Sequence, residues 1–182
     1  MIQRKTSYNL LTVVTIVYLF LYTFKGDLFK SNLSRIANES IVNYVLLIVL
    51  CLLYGTLLRS SLKRQMFTKP YLLIAFISML IGAIVPYDYL KVNSFNSNLH
   101  LGFAIISCVS TLLIEFISLY QFKIIKPKIG NYLMFGFIIV VGIGIYLYGK
   151  YMFVNGLNEL ILLTFVLISQ MIIFNEVKVW KY

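Results

Sequence analysis

The chain is poor in the residues that soluble enzymes use for chemistry: it has one histidine, two cysteines, six acidic residues and three prolines among 182. A lone histidine, His100, excludes an HExxH motif or paired-histidine metal spacing. Cys51 and Cys108 both lie inside apolar runs, so they suit neither an exported disulfide framework nor a zinc knuckle. They read as small apolar core residues. The sequence also lacks a G-x-S-x-G elbow, a phosphate-cradling glycine loop and a dinucleotide fingerprint. Neither a metal nor a cofactor is expected.

What the chain has instead is apolar bulk: 60% hydrophobic residues against 12% charged, where soluble domains run at roughly 45–50% and 25%. The solvent for most of it is lipid. About 20 apolar residues cross the hydrocarbon core as a helix, and six windows qualify, at about 9–24, 41–58, 71–87, 99–121, 132–151 and 157–175. The expected fold is all-α: a polytopic integral membrane protein, one membrane-embedded domain built as a six-transmembrane-helix bundle. The first window is the shortest and contains Thr12, Thr15 and Thr23. No small-residue cleavage site follows it, so it is expected to remain as a span. The connections are too short to hold a soluble catalytic domain, which confines any site to the bundle and its rims.

A net charge of +10 raises the question of nucleic acid, but the basic residues follow the positive-inside rule instead. With the N-terminus cytoplasmic, the inner segments hold Arg4, Lys5, Arg59, Lys63, Arg64, Lys69, Lys123, Lys126, Lys128, Lys178 and Lys181, eleven of the sixteen. The outer segments hold Lys25, Lys30, Arg35, Lys91 and Lys150, with Asp27, Glu39, Asp88 and Glu159. Both termini are therefore expected in the cytoplasm of a bacterium, with the bundle in its plasma membrane. The partners expected are membrane lipids and a protein partner or second copy, with no nucleic acid.

Local signals refine this layout. In the first outer loop, Leu28, Phe29, Leu33 and Ile36 fall near one side of a short helix expected to lie along the membrane surface. The triplets Asn32-Leu33-Ser34 and Asn38-Glu39-Ser40 match a glycosylation pattern that arises easily by chance in a loop rich in Asn and Ser. Pro70 stands at the first turn of span three, Pro86 closes that span, and Ser97 or Asn98 is expected to cap span four. Gly136, Gly142, Gly144 and Gly149 allow span five to approach its neighbours closely. The two halves show no convincing repeat, so an inverted-repeat transporter is not indicated.

Two polar constellations remain. An outer rim collects Asn43, Asp88, Asn98, His100, Asn155, Asn158 and Glu159 near the outer ends of spans. Along span four, His100, Ala104, Ser107, Thr111, Glu115 and Ser118 fall within about 80° of one helix face. A carboxylate at the depth of Glu115 costs on the order of 2.5–3.5 kcal/mol to insert, so the stripe is expected to face the bundle interior. Hydroxyls such as Thr111, or Ser169 and Gln170 of the last span, are within its reach. His100 and Glu115 are about 22 Å apart along the helix, which makes them two places rather than one.

The run Gly82-Ala83-Ile84-Val85-Pro86, a polar loop, and then Asn98-Leu99-His100 with Ala104 resembles the region between spans three and four of the DRAM/Frag-like six-span membrane proteins. Glu159, at the start of the last span, resembles a carboxylate found there in that family. The likeness covers about a third of the chain through short motifs, and the Phe-Pro pair common in such proteins is Val85-Pro86 here. It implies a six-helix bundle without established enzyme activity, with eukaryotic relatives tied to membrane trafficking and lipid-anchor processing. It directs interest to Pro86, His100 and Glu159.

Together these readings favour a non-enzymatic membrane protein that binds lipid headgroups or a partner protein through its outer polar rim. The alternatives are a small transporter or proton-coupled permease component using Glu115, and an intramembrane lipid-modifying enzyme using His100, Asp88 and Glu159.

Overall fold

A computed structural model of the chain describes residues 2–62, 69–85, 94–151 and 154–176. Those residues form seven helices and no strand: α1 (Ile2–Thr23), α2 (Leu33–Asn38), α3 (Ile41–Leu62), α4 (Lys69–Ile84), α5 (Phe95–Ile125), α6 (Pro127–Tyr151) and α7 (Gly156–Glu176). Five of them, α1, α3, α5, α6 and α7, are long and apolar enough to cross a membrane. The sixth window appears as α4, an apolar helix of 16 residues. At 1.5 Å per residue it covers about 24 Å of a hydrocarbon core about 30 Å thick.

The helices extend past the apolar windows because a helix satisfies its own backbone whether or not its end residues are apolar. Helix α1 starts at Ile2 rather than near Asn9, and α5 runs for 31 residues. The α5 cap is Ser94, not Ser97 or Asn98: its hydroxyl accepts from the Ser97 amide at 3.2 Å. Helix α6 opens on Pro127, where the missing N–H costs nothing, five residues ahead of the window read at Tyr132. Inside α1, the Thr12, Thr15 and Thr23 hydroxyls donate to the carbonyls four residues earlier at 2.7–2.9 Å. Polar groups at membrane depth are thereby paired within their own helix.

Pairwise contacts fix an up-and-down order. Tyr8 donates to the Leu57 carbonyl and Tyr18 to that of Leu46, which makes α1 and α3 antiparallel. Tyr44 reaches the Ile84 carbonyl, His100 that of Val85 and Ser107 that of Ala75, which sets α4 antiparallel to both α3 and α5. Phe137 packs on Phe116 and on Phe165, placing α6 between α5 and α7. Tyr8 stacks on Phe174 at 4.0 Å, so α7 returns along α1 and closes a ring of six helices. Across the middle of that ring α7 also touches α3.

Helix α2 departs from the expectation of a surface helix. Leu33, Ile36 and Ala37 are buried among Leu19 and Tyr22 of α1, Leu47 and Leu50 of α3 and Leu160 of α7. Loop 24–40 therefore folds inward as a lid on one end of the bundle, and only the Phe29 ring of the four apolar residues remains largely outside. Three apolar side chains on a six-residue helix are better covered by protein than left at a wet interface.

Two other expectations are corrected by the packing. Cys51 is buried, but Cys108 is exposed on the outer face of α5 and is not a core residue. Of the four glycines read from span five, Gly136 and Gly144 face Phe165 and Asn158 of α7, whereas Gly142 and Gly149 face open space. The closest backbone approach lies instead at the α5–α6 turn, where a Cβ on Gly130 would sit 2.4 Å from Lys123 Cα.

That contrast yields a prediction for thermal unfolding in detergent. Gly130→Ala forces two backbones apart and is expected to cost about 1–3 kcal/mol, the range for overpacking. Gly142→Ala meets nothing and gains helix propensity, so its melting temperature should match or exceed that of the parent.

Candidate functional site

The buried polar groups fall into two layers, one under the lid and one near the opposite end of the bundle. Under the lid, α7 begins with Asn155, whose side chain accepts from the Asn158 amide at 3.0 Å. The first free amides of α7, Gly156 and Leu157, donate to the lid carbonyls of Ser31 and Leu28 at 2.6 and 3.0 Å. One turn on, Glu159 accepts from the Leu33 amide at the start of α2, 2.7 Å away. The end of one helix thus binds the loop that covers it, and both sets of orphan amides find partners.

Helices α1 and α3 complete this layer. Tyr22 donates to the Asn43 carbonyl at 3.0 Å and is nearly fully buried. The Asn43 side chain donates to the Ile36 carbonyl at 3.1 Å and accepts from Lys25 Nζ at 2.9 Å. Asn158 donates to the Gly144 carbonyl at 3.1 Å, tying α7 to α6. Asn43, Asn158 and Glu159 therefore bond to backbone groups of the lid and its neighbours, and Asn43 also to the Lys25 ammonium. Asn98 is exposed on the first turn of α5. His100 is buried with Nδ1 2.8 Å from the Val85 carbonyl, at the α4–α5 contact. Asp88 and Pro86 lie outside the described residues. His100 meets the Val85 carbonyl and Glu159 the Leu33 amide.

Three cations project from the lid. Lys25, Lys30 and Arg35 are exposed, and the Arg35 guanidinium donates to the Lys30 carbonyl at 2.8 Å. Phe29 lies against Tyr151 at 5.6 Å between ring centres, and Lys150 sits 5.4 Å over the same Tyr151 ring. Lys150 thus joins the ring pair where the lid meets the end of α6, while Lys25 is held at Asn43 and Arg35 at the Lys30 carbonyl. The lid also carries two exposed acids, Glu39 and, beside Lys30, Asp27. The Asp27 carboxylate accepts the Phe29 and Lys30 amides at 2.9 and 3.2 Å and faces Lys30 Nζ at 3.8 Å.

The second layer is centred on Glu115, which is fully buried. Gln170 Nε2 donates to Glu115 Oε2 at 2.8 Å, and the Ser169 hydroxyl is hydrogen-bonded to Oε1. On its other side Gln170 Oε1 accepts from Ser61 of α3 at 2.6 Å. Three helices, α3, α5 and α7, meet at this chain of polar atoms. Of the other stripe residues, Ser118 and Thr111 are buried, Ser107 is half-buried and donates to the Ala75 carbonyl at 3.2 Å, and Ala104 is exposed. The stripe therefore faces inward except for a break at Ala104. Thr111 also lines a cavity of about 10 Å³ with Tyr54, Gly55 and Phe76, and Glu115 is not in that lining.

Ser61 lay beyond the window that ended at Leu58, so the sequence reading missed it. The signal for it is the length of α3, whose last turn carries Arg59, Ser60 and Ser61 on a still-helical backbone. Tyr22 carries no sequence signal of its own, and Lys25 and the other lid cations read only as topology markers.

Removing the Glu159 carboxylate should release the lid locally. Glu159→Ala leaves the Leu33 amide without its acceptor, a loss on the order of 1–3 kcal/mol for a buried group. Hydrogen–deuterium exchange across residues 33–37 is expected to accelerate in Glu159→Ala and to stay near the parent rate in Glu159→Gln, which keeps an acceptor oxygen.

Comparison with protein-family models, with curated proteins and with solved structures finds no match for this chain.

Proposed function

We propose that the chain is a non-enzymatic protein of a bacterial plasma membrane, with six spans including α4 and both termini cytoplasmic, that binds anionic lipid headgroups at the lid rim. The single observation carrying this reading is the set of exposed cations on the lid, Lys25, Lys30 and Arg35, together with Lys150 beside the Phe29–Tyr151 pair. These cations are placed against the charge bias of the rest of the chain, on the side that positive-inside sorting keeps poor in Lys and Arg. A membrane protein gains nothing in topology from them there. Phosphate headgroups match the chemistry: several donors around an anion, with aromatic rings at the depth of the glycerol backbone.

The rim polar residues have a supporting part in this reading. Asn43 holds the Lys25 ammonium at 2.9 Å, and Glu159 and Asn43 fix α2, which carries Arg35. A rigid loop presents its cations with little ordering cost, which favours affinity. The DRAM/Frag-like resemblance is consistent with a role at a lipid surface and adds no mechanism to it.

Basic side chains near an anionic surface contribute about 1 kcal/mol each. Neutralising Lys25, Lys30, Arg35 and Lys150 to Gln together is therefore expected to weaken phosphatidylglycerol binding at least about tenfold, a change of about 1.4 kcal/mol. Native mass spectrometry with a phosphatidylglycerol titration measures it, with phosphatidylcholine as the uncharged comparison. Equal phosphatidylglycerol retention by the variant and its parent would remove the reading.

A further inference from the structure

The Glu115 layer contains a proton that its serine cannot supply. Ser169 Oγ is hydrogen-bonded to two oxygens, Glu115 Oε1 and the Val166 carbonyl, the latter at 2.9 Å. A hydroxyl has one proton to give. A serine inside a helix commonly places it on a carbonyl three or four residues back, and Val166 stands three residues before Ser169. With the Ser169 proton on Val166, the carboxyl group supplies the one between Oγ and Oε1.

The rest of the chain of contacts agrees with a neutral acid. Glu115 Oε2 accepts from Gln170 Nε2 at 2.8 Å, as the carbonyl oxygen of a carboxylic acid would. Gln170 Oε1 is already taken by the Ser61 hydroxyl, which fixes the amide with its nitrogen toward Glu115. With a proton on Oε1, Glu115 donates to Ser169, Ser169 to Val166 and Gln170 to Glu115, while the Ser61 hydroxyl reaches the side-chain and backbone oxygens of Gln170 at 2.6 and 3.3 Å.

No counter-charge replaces that proton among the described residues. The ion pairs there are Lys30–Asp27 and Lys126–Glu176, neither of which includes Glu115. The titratable groups that bear on Glu115 are two phenols, Tyr8 of α1 and Tyr54 of α3. Among the described side chains, the other ionisable residues of the packed helices are spent or lie elsewhere. Lys5 donates to the Asn175 carbonyl, Arg59 is exposed, and α4 has only Lys69 and Tyr71, at its first turn. Helix α6 has none between Tyr132 and Tyr146, and α7 has Glu159 and Glu176 near its two ends. On α5 itself, Tyr120 and Lys123 are exposed, Cys108 lies two turns away, and His100 is about 22 Å along the helix.

We propose that Glu115 is a proton-binding site: at neutral pH its carboxyl is the neutral acid, donating to Ser169, and the bound proton locks α5 to α7 and, through Gln170 and Ser61, to α3. Loss of the proton would turn the Ser169 hydroxyl from Val166 to Glu115 and leave an anion at membrane depth without a cation, which loosens the α5–α7 contact. The inference is independent of the lid rim, which lies at the other end of the bundle.

Infrared spectroscopy of the protein in lipid nanodiscs at pH 7 tests it. The expected spectrum has a protonated-carboxyl C=O component that is lost in Glu115→Gln and displaced in Ser169→Ala, where the acid loses its acceptor. A spectrum without a protonated-carboxyl component, or one that Glu115→Gln leaves unchanged, overturns the proposal. Where Glu115→Gln fails to assemble, Ser169→Ala decides alone: a displaced component supports the site and an unmoved one overturns it.

Discussion

The bundle depends on the polar contacts of one helix, α7. In lipid, apolar surfaces gain little by meeting one another, so helix association rests on close packing and on interhelical hydrogen bonds. Helix α7 has such bonds at both ends of its length. At one end its first amides and Glu159 bind the lid, and Asn158 binds α6. Toward the other, Ser169 and Gln170 bind α5 and α3, and Asn175 meets Asn9 of α1 at 2.9 Å. Remove that helix and the remaining contacts describe a row of neighbours. With it, the row closes.

Helix α6 marks the contrast. It is the least covered of the five long helices, with about a tenth of its apolar window buried, and its outer face is Ile138, Ile145, Tyr146 and the two open glycines. It packs through Phe137 and Leu147 and through the close turn at Gly130. One helix carries polar specificity and the other carries mainly shape, a division that bilayer energetics permits because both backbones are internally satisfied.

The helical class and the places of the long spans were legible because hydropathy over twenty residues reports the solvent directly. Ends were legible only roughly: Ser94 outcompeted Ser97 as a cap because the cap is set by which side chain reaches the third amide, which spacing alone does not decide. The inward face of α5 followed from the periodicity of Thr111, Glu115 and Ser118, and the partners of Glu115 were readable as the polar residues of the last span. The inward turn of α2 was not. Its apolar side was visible, but whether such a side meets lipid or protein depends on Gly26, Tyr22 and Glu159, residues contributed by other segments.

The central claim is that the α7 contacts act as a connected unit. A double-mutant cycle between Glu115→Leu and Gln170→Leu, read by reversible unfolding in one detergent, measures this most directly. The account predicts a coupling free energy of at least about 0.6 kcal/mol, the average for interhelical hydrogen bonds in membranes, because each single variant strands a buried partner that the double variant removes. Strict additivity of the two single effects would contradict it.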